Sequence, residues 1–356
     1  MPEAVIVGSA RTPIGKFGGG LSRLSAMDLG GVAIRAALER AGVPAPQVDS
    51  VIMGHVIQAG QGQITARQAA VNAGIAMGVP ALTVNKVCLS GMSAVALADQ
   101  WIRLGEAEVV VAGGMESMSN APYLLPKART GYRMGNGELV DAMIHDGLWC
   151  AFEGAHMGTG SDAMNTKYGI SRQVQDEWSA ASHERAVAAW KDGRYAEEVA
   201  PVEVPQRRAA GGRAAARRAP DGDSVVVDTD EGMRPGTTAE SLAKLRPAFA
   251  KEGTITAGNA SQISDGGAAM ILVSRRKADE LGLAPLGRIL AYGQVAGPDP
   301  SLHHQPAAAI ERAAAKIDAD PGGFDLYEMN EAFASVAIHS AELLGVDADR
   351  VNVNGG

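Results

Sequence analysis

Short apolar, β-branched runs alternate with alanine-rich stretches along much of this chain. Such alternation is typical of an α/β protein with a largely buried sheet, because helices must cover the apolar faces of the strands. We therefore predict an α/β fold. The strand-like runs are residues 4–7, 51–53, 109–111, 270–273 and 288–291.

The helical stretches cover residues 28–40, 91–102 and 307–317. The second has almost no polar residue before Asp99, so we predict a helix buried on nearly all sides. Residues 120 to about 245 lack regular strand patterns, and alternation begins afresh at Arg276. The pattern predicts two α/β halves separated by a loop domain.

Composition excludes several classes of protein. The 356 residues, 46% hydrophobic and 20% charged, are ordinary for a globular enzyme with two cores. A net charge of −8 argues against nucleic acid as a partner, since phosphate binding needs a basic surface. No run approaches a membrane span and the chain opens with a strand pattern, so we expect a cytoplasmic protein without membrane contact. Two cysteines are too few for a disulfide scaffold or an all-cysteine metal site, and we expect no metal.

Cys88 lies where a strand-like run ends and a helix-like run opens at Ser90-Gly91. Amides at a helix N-terminus favour a thiolate over a thiol and so make a cysteine nucleophilic near neutral pH. Gly91 would let the backbone turn tightly there. A buried cysteine also often serves as a small apolar residue, so position alone leaves both roles open.

The residues around Cys88 resemble those of a known enzyme family. Residues 85–94, Asn-Lys-Val-Cys-Leu-Ser-Gly-Met-Ser-Ala, resemble the nucleophile segment of the thiolases, the enzymes that make and cleave 3-ketoacyl-CoA thioesters. One glycine-rich block would be weak evidence, but several in family order are specific. The further blocks are residues 5–15, 58–63, 66–70, 112–119, 256–261 and 330–334.

The resemblance implies an architecture. Thiolases have five layers, αβαβα, formed by two βαβαβαββ halves, with a loop domain that holds coenzyme A. By this likeness residues 1–119 with 246–275 form the first half, 120–245 the loop domain and 276–356 an incomplete second half. Within the loop domain we predict a long helix over 171–195 with Ser171 as its N-cap. We expect the arginine- and alanine-rich segment 207–218 to be a solvated excursion, with attraction of coenzyme A as the alternative.

The resemblance also implies catalytic roles. Cys88 would carry the acyl group, which gives ping-pong kinetics. Asn330, in the Asn-Glu-Ala-Phe block, would bind a water that completes an oxyanion hole for the enolate. The alternative for Asn330 is a helix N-cap. Glu331 is better explained as structural.

Coenzyme A contacts are carried over by motif. His156 and Met157, in Gly-Ala-His-Met-Gly, resemble the pair that lines the pantetheine and acyl pocket of short-chain thiolases. Further positions that match the family around the nucleotide and pantetheine are Arg234, Ser241, Phe249, Ala257 and Ser261. Alternatively, Arg234 is simply solvated and Phe249 is core. We interpret His145 and Cys150 as structural and assign no role to His55, His303, His304 and His339.

The printed sequence stops at the Gly355-Gly356 pair, where the family pattern continues into a Gly-His-Pro motif and later a Cys-x-Gly-Gly-Gly motif. The histidine of the first motif activates the nucleophile, and the second supplies a proton-shuttling cysteine and an oxyanion donor. The residues printed here are therefore expected to be nearly inactive in condensation and to form a truncated second half. A sheet edge and apolar surface would be left exposed.

The leading function is transfer of an acetyl group from Cys88 to a second acetyl-CoA, giving acetoacetyl-CoA and CoA, or the reverse thiolysis. A longer-chain 3-ketoacyl-CoA thiolase of fatty-acid degradation is the alternative among enzymes, and a ketoacyl synthase is disfavoured by the 330–333 block. A non-catalytic acyl-CoA-binding module is the alternative from another class. We expect no permanently bound cofactor, with coenzyme A thioester as substrate, and a homo-oligomer, either a dimer or a tetramer.

Overall fold

The structure, a computed structural model, describes residues 2–206 and 224–356. The chain divides into two compact units. The first comprises the described residues of Met1–Gly147, Glu197–Gly232 and Ile263–Ile289. The second comprises Leu148–Ala196, Met233–Gln262 and Leu290–Gly356. The segment 207–218 lies outside the described residues, and the predicted boundaries at 119, 245 and 275 stay predictions.

The described strands and helices follow in chain order. The strands are β1 Ala4–Arg11, β2 Gly15–Lys16, β3 Ser50–Gly54, β4 Ala81–Val84, β5 Val109–Ser117, β6 Tyr123–Leu124, β7 Val140–Asp141, β8 Trp149–Cys150, β9 Ala155–His156, β10 Val202–Pro205, β11 Ser224–Val227, β12 Ser264–Ser274 and β13 Gly287–Arg288. The helices are α1 Ala26–Ala41, α2 Thr65–Asn72, α3 Ser90–Leu104, α4 Met157–Tyr168, α5 Arg172–Lys191, α6 Ala239–Leu242, α7 Arg275–Leu281, α8 Gln305–Ala314 and α9 Ala334–Leu344.

A mixed sheet forms the centre of the first unit. Its strand order is β13-β1-β12-β5-β3-β4, with β2 also paired to β12. Strand β3 runs parallel to β4 and β5, whereas β12 is antiparallel to β1 and β5. The predicted α/β class is confirmed, since a largely buried sheet is covered by helices.

Alternate side chains of each strand enter different cores, as the two-residue period of a strand requires. Val51 and Met53 pack with α1 and α2, whereas Ile52, between them, packs with α3. The sheet of this unit is thus covered on both faces. Because β3 and β4 are parallel, their carboxyl ends meet at one edge, and the chain after β4 leads directly to Cys88.

The second unit is mainly helical. Helix α5 begins after Ser171, whose side chain accepts a hydrogen bond from Val174 N–H, so the predicted N-cap is confirmed. Helices α8 and α9 share a core with Tyr327, Met329 and Val351. Met329 of this core is the residue immediately before Asn330.

Three local predictions were wrong. Helix α3 is not buried all round: Met92 is 64% exposed and Leu104 is 71% exposed, because only one face of the helix lies on the sheet. The strand predicted over 288–291 ends at Arg288, since it pairs with only two residues of β1 and Leu290 is exposed. The region 120–245 does contain strands, including the β10–β11 hairpin.

No helix within 2–206 and 224–356 is long and apolar enough to cross a membrane. In the same ranges, no group of three or more His, Cys, Asp or Glu side chains is placed to hold a metal ion.

Candidate active site

The chain reaches Cys88 through a turn of unusual backbone conformation. Val87 has φ +50°, a left-handed conformation that a β-branched side chain rarely adopts. Gly91, predicted to provide the turn, instead lies inside the first turn of α3, which begins at Ser90. The change of direction before Cys88 therefore depends on Val87, and the surrounding contacts must stabilise it.

Side-chain hydrogen bonds hold this turn. Ser90 Oγ accepts from Lys86 N–H at 2.8 Å and donates to Val87 O at 2.6 Å. Asn85 Oδ1 accepts from Val87 N–H at 2.9 Å. Ser90 is buried, so its two bonds are shielded from water. Ser90 and Asn85 were not predicted as site residues, although both lie within the block of residues 85–94 around Cys88.

A second group of contacts supports the turn from the neighbouring strand. Glu116 Oε2 accepts from Val56 N–H at 2.9 Å, and Asn85 Nδ2 donates to Val56 O at 3.4 Å. His55, which had no assigned role, is buried, with Nε2 3.1 Å from Glu116 Oε1 and Nδ1 2.9 Å from Thr65 Oγ1. His55 and Glu116 thus fix the loop against which Asn85 rests.

Cys88 is exposed to solvent, yet the protein around it raises the pKa of its thiol by loss of hydration. A backbone hydrogen bond acts in the opposite direction, and no charged side chain of the described residues contributes. The predicted lowering of this pKa by the helix N-terminus was therefore wrong, because loss of hydration outweighs the backbone hydrogen bond. A base must remove the proton before Cys88 can act as a nucleophile.

Asn330 lies outside the helices and strands of the second unit and is exposed. The helix after it, α9, begins at Ala334 with Phe333 as its N-cap residue. The alternative explanation of Asn330 as a helix N-cap is therefore wrong. Glu331, interpreted as structural, accepts hydrogen bonds from Trp178, Ser182 and Asn352.

His156 and Phe249 come together in the second unit. Their rings stack with centroids 4.4 Å apart and planes 20° apart, and Phe249 meets Phe333 edge-on at 6.0 Å. His156 is the N-cap of α4, with Nδ1 accepting from Gly158 N–H at 3.0 Å. Burial lowers the pKa of His156, so the ring is neutral near pH 7 and Nδ1 can accept. Met157, partly buried, is the first residue of α4.

The remaining predicted coenzyme A residues line exposed segments of the second unit. Arg234 is exposed, and its backbone N–H donates to His183 Nδ1 at 3.3 Å. Ser241 closes a capping box with Thr238 at the start of α6. Ala257 and Ser261 are exposed, and Ser261 N–H donates to Ala332 O at 3.1 Å. The structure therefore brings Ser261 beside the segment of Asn330.

Other titratable groups have structural contacts. His303 is fully buried, and burial lowers its pKa to about 4. Its Nε2 lies 2.8 Å from Asn165 Oδ1, and His339 stacks on Tyr168. Exposed His145 pairs with Asp146 at 2.8 Å, and Cys150 belongs to the short β8–β9 hairpin. Partly buried His304 contacts the Gly297 carbonyl.

Comparison with known proteins gives a consistent result. The family model "Thiolase, N-terminal domain" matches residues 4–276, and "Thiolase, C-terminal domain" matches residues 283–356. A probable acetyl-CoA acetyltransferase of Mycolicibacterium smegmatis is 54% identical over 352 residues, which cover 99% of this chain and 87% of the relative. Acetyl-CoA acetyltransferases of Pseudomonas aeruginosa and Cupriavidus necator are 50% and 49% identical, each over 100% of this chain and 87% of the relative.

Proposed function

Because the chain belongs to the thiolase family, we propose that it is an acetyl-CoA acetyltransferase that works through an acetyl-Cys88 intermediate. The observation that carries this proposal is an exposed thiol on a strained turn, held in place by Ser90 and Asn85. Backbone strain at such a position is characteristic of functional sites. Acetyl-CoA is proposed as the substrate because similar proteins are named acetyl-CoA acetyltransferases.

In the first half-reaction the sulfur of Cys88 attacks the thioester carbonyl of acetyl-CoA. The new bond joins Cys88 Sγ to the acetyl carbon, the bond from that carbon to the sulfur of CoA breaks, and CoA leaves as a thiol. The proton lost by Cys88 balances the one gained by CoA. Since desolvation raises the pKa of Cys88, transfer of this proton to a base is part of the step.

In the second half-reaction another acetyl-CoA loses a methyl proton and forms an enolate. Its carbon attacks the acetyl carbonyl on Cys88, a carbon–carbon bond forms, and Cys88 leaves as a thiol on taking a proton. Asn330 is proposed to stabilise the enolate oxygen through a bound water. An exposed amide with an available N–H₂ group suits this task.

The coenzyme is proposed to bind the second unit. The stacked rings of His156 and Phe249, with Met157 next to His156 in the sequence, are proposed to line the pocket for pantetheine and a short acyl group. The exposed guanidinium of Arg234 is available to a phosphate, with Ser241, Ala257 and Ser261 on neighbouring segments. No permanently bound cofactor is proposed.

Steady-state kinetics test this function. In a protein that carries the Gly-His-Pro and Cys-x-Gly-Gly-Gly motifs as well as these residues, acetyl-CoA should give acetoacetyl-CoA with ping-pong kinetics. Cys88→Ser should abolish the product, while Cys150→Ser retains it. A preference for long-chain 3-ketoacyl-CoA in thiolysis would instead establish the alternative thiolase of fatty-acid degradation. Binding of acetyl-CoA without any product would establish a non-catalytic binding module.

We also propose that the chain forms a homo-oligomer through strand β4, one of the two edge strands of the sheet in the first unit. Within the described residues β4 pairs with β3 alone, and unpaired strand edges associate readily. Leu82 of β4 is 40% exposed, and Leu89 and Met92 at the start of α3 are 46% and 64% exposed. A second copy of the chain would cover this apolar patch by antiparallel pairing.

Light scattering tests the interface. Leu82→Lys should shift the wild-type oligomer toward the monomer, whereas Leu290→Lys, at another exposed leucine, should not. A monomeric wild-type protein, or an oligomer unaffected by Leu82→Lys, would contradict the interface. A homotetramer, a cytoplasmic location and a place in fatty-acid metabolism stay predictions.

A further inference from the structure

Asn330 is exposed, yet hydrogen bonds hold the residues on both sides of it. The side chain of Asn352 binds both polar groups of the Met329 backbone: Oδ1 accepts from Met329 N–H at 2.8 Å, and Nδ2 donates to Met329 O at 2.9 Å. These bonds are buried, and Asn352 itself is 1% exposed. The peptide groups that precede Asn330 are therefore fixed by one side chain from another segment.

Asn352 adopts a conformation that serves this contact. Its φ is +48°, in the left-handed region that asparagine tolerates better than most residues with a side chain. Its own N–H donates to Tyr327 O at 2.8 Å, so Tyr327 and Met329 are held by the same residue. Three hydrogen bonds to the segment 327–329 stabilise this left-handed backbone conformation.

Glu331 fixes the other side of Asn330. Its Oε1 accepts from Trp178 Nε1 at 2.9 Å and from Asn352 Nδ2 at 2.8 Å, and its Oε2 accepts from Ser182 Oγ at 2.9 Å. Hydrogen bonds to a carboxylate are roughly twice as strong as those between neutral groups. Trp178 and Ser182 both lie on α5, so one carboxylate joins this segment to a twenty-residue helix.

Backbone pairing holds the residues that follow. Ala332 O accepts from Ser261 N–H at 3.1 Å, and Ala334 N–H donates to Asn259 O at 2.9 Å. Asn330 thus lies in a segment fixed before and after it, while its own side chain stays exposed. Such an arrangement aims a side chain at a ligand without using its polar atoms internally.

We infer that Glu331 and Asn352 are positioning residues that hold the Asn330 amide where it stabilises the enolate oxygen. The inference rests on the proposed function of Asn330. An oxyanion donor is effective only when it is fixed before the reaction, and a misplacement of about 1 Å can cost about 10²-fold in rate. Glu331 and Asn352 act through Asn330 and do not touch the reacting atoms.

The two half-reactions separate this role from a general structural one. Acetylation of Cys88 by acetyl-CoA does not use the enolate, whereas condensation and exchange of the acetyl-CoA methyl protons with deuterium do. Glu331→Gln and Asn352→Gly should each lower condensation and methyl exchange about 10- to 100-fold and leave the rate of Cys88 acetylation unchanged. Glycine at 352 removes the side-chain bonds but accepts the positive φ, so backbone strain does not confuse the result.

Reference variants make every outcome decisive. Glu342→Gln, at an exposed carboxylate on α9, should behave as wild type. Adding Glu331→Gln to Asn330→Ala should cause no further loss if Glu331 acts through Asn330. If Glu331→Gln does not fold, Trp178→Phe removes one donor to the same carboxylate and should lower condensation selectively, though less.

Three results would overturn the inference. Unchanged condensation in both Glu331→Gln and Asn352→Gly would do so, as would an equal fall in both half-reactions, which indicates general structural damage. All these variants are compared in a protein that carries the Gly-His-Pro and Cys-x-Gly-Gly-Gly motifs as well as these residues. Absence of condensation in that reference protein, or undiminished condensation in its Asn330→Ala variant, would overturn the proposed function of Asn330 itself. A defect in Asn330→Ala alone would leave that function intact and exclude the positioning roles.

Discussion

The imidazole of His156 stacks on the phenyl ring of Phe249, with the ring centroids 4.4 Å apart and the planes 20° apart. The two residues are 93 positions apart in the sequence, and the contact covers a histidine whose pKa burial lowers. There is no room for a side chain on Gly158, whose Cβ would lie 2.3 Å from the Phe249 ring. Phe249 thus packs against both the imidazole that caps α4 and the glycine that follows it.

Phe249→Ala should rehydrate His156 and raise its pKa toward the ordinary value near 6.5. It should also lower the free energy of unfolding by about 2 kcal/mol, less than for a fully buried ring. Proton NMR of the His156 ring and urea unfolding measure the two effects. Phe152→Ala, at a ring that is 94% exposed, is the control and should change neither. An unchanged His156 pKa in Phe249→Ala would show that other groups cause its burial.

The reactivity of Cys88 should depend on pH in the direction set by desolvation. A raised pKa means that less thiolate is present at neutral pH, so alkylation by iodoacetamide should rise with a midpoint above the ordinary thiol value of about 8.5. Measurement in a Cys150→Ser background isolates this residue. A midpoint below the ordinary value would reveal a cationic partner that outweighs desolvation.

Ser90→Ala should damage the turn before Cys88. It removes the acceptor of Lys86 N–H and the donor to Val87 O, and unsatisfied buried groups cost about 1–3 kcal/mol. We expect the free energy of unfolding to fall by this amount and acetylation of Cys88 to slow about tenfold or more, as the strained Val87 relaxes. Ser93→Ala, one turn further along α3, should retain the acetylation rate. Equal acetylation rates in Ser90→Ala and wild type would mean that the turn does not need this hydroxyl.

His303 should make the stability of the second unit depend on pH. Its pKa is about 4 in the folded chain and ordinary in the unfolded chain, so the unfolded state binds the additional proton between these values. The free energy of unfolding therefore keeps its full value, as far as His303 is concerned, above about pH 6.5. It falls by about 3 kcal/mol as the pH drops toward 4. Unfolding free energies measured from pH 7 to 4 should show this slope, and His303→Gln should reduce it.

His145→Gln is the matched control for that experiment, because His145 is exposed and lies 2.8 Å from its neighbour Asp146. Its slope should equal that of wild type. If wild type and His303→Gln lose stability in parallel over this range, another group must bind the proton.

Local patterns predicted much of the fold. Strands β3 and β5 and helices α1 and α5 could be predicted because the hydrophobic period and the capping residues of adjacent positions are enough to identify them. The prediction that α3 is buried on nearly all sides was wrong, because periodicity does not show how far a sheet extends beneath a helix. The position of Cys88 could be predicted, but its raised pKa depends on surrounding atoms that the adjacent residues do not reveal.

The contacts around Asn330 could not have been predicted from the chain alone. Trp178 donates to Glu331 across 153 positions, and Asn352 reaches Met329 across 23. Neither pairing has a periodic signature, since each depends on how separate segments pack. The left-handed conformations of Val87 and Asn352 are similarly hidden, because neither residue type requires one.

The central claim is that Cys88 carries the acetyl group, and intact-protein mass spectrometry after incubation with acetyl-CoA tests it most directly. We predict the addition of one acetyl group, located on Cys88 by peptide mapping, absent in Cys88→Ala and retained in Cys150→Ser. Subsequent addition of CoA should remove it, as the reverse half-reaction requires. No acetylation after prolonged incubation of a protein that carries the Gly-His-Pro and Cys-x-Gly-Gly-Gly motifs as well as these residues would contradict the account. Acetylation that persists in Cys88→Ala would also contradict it.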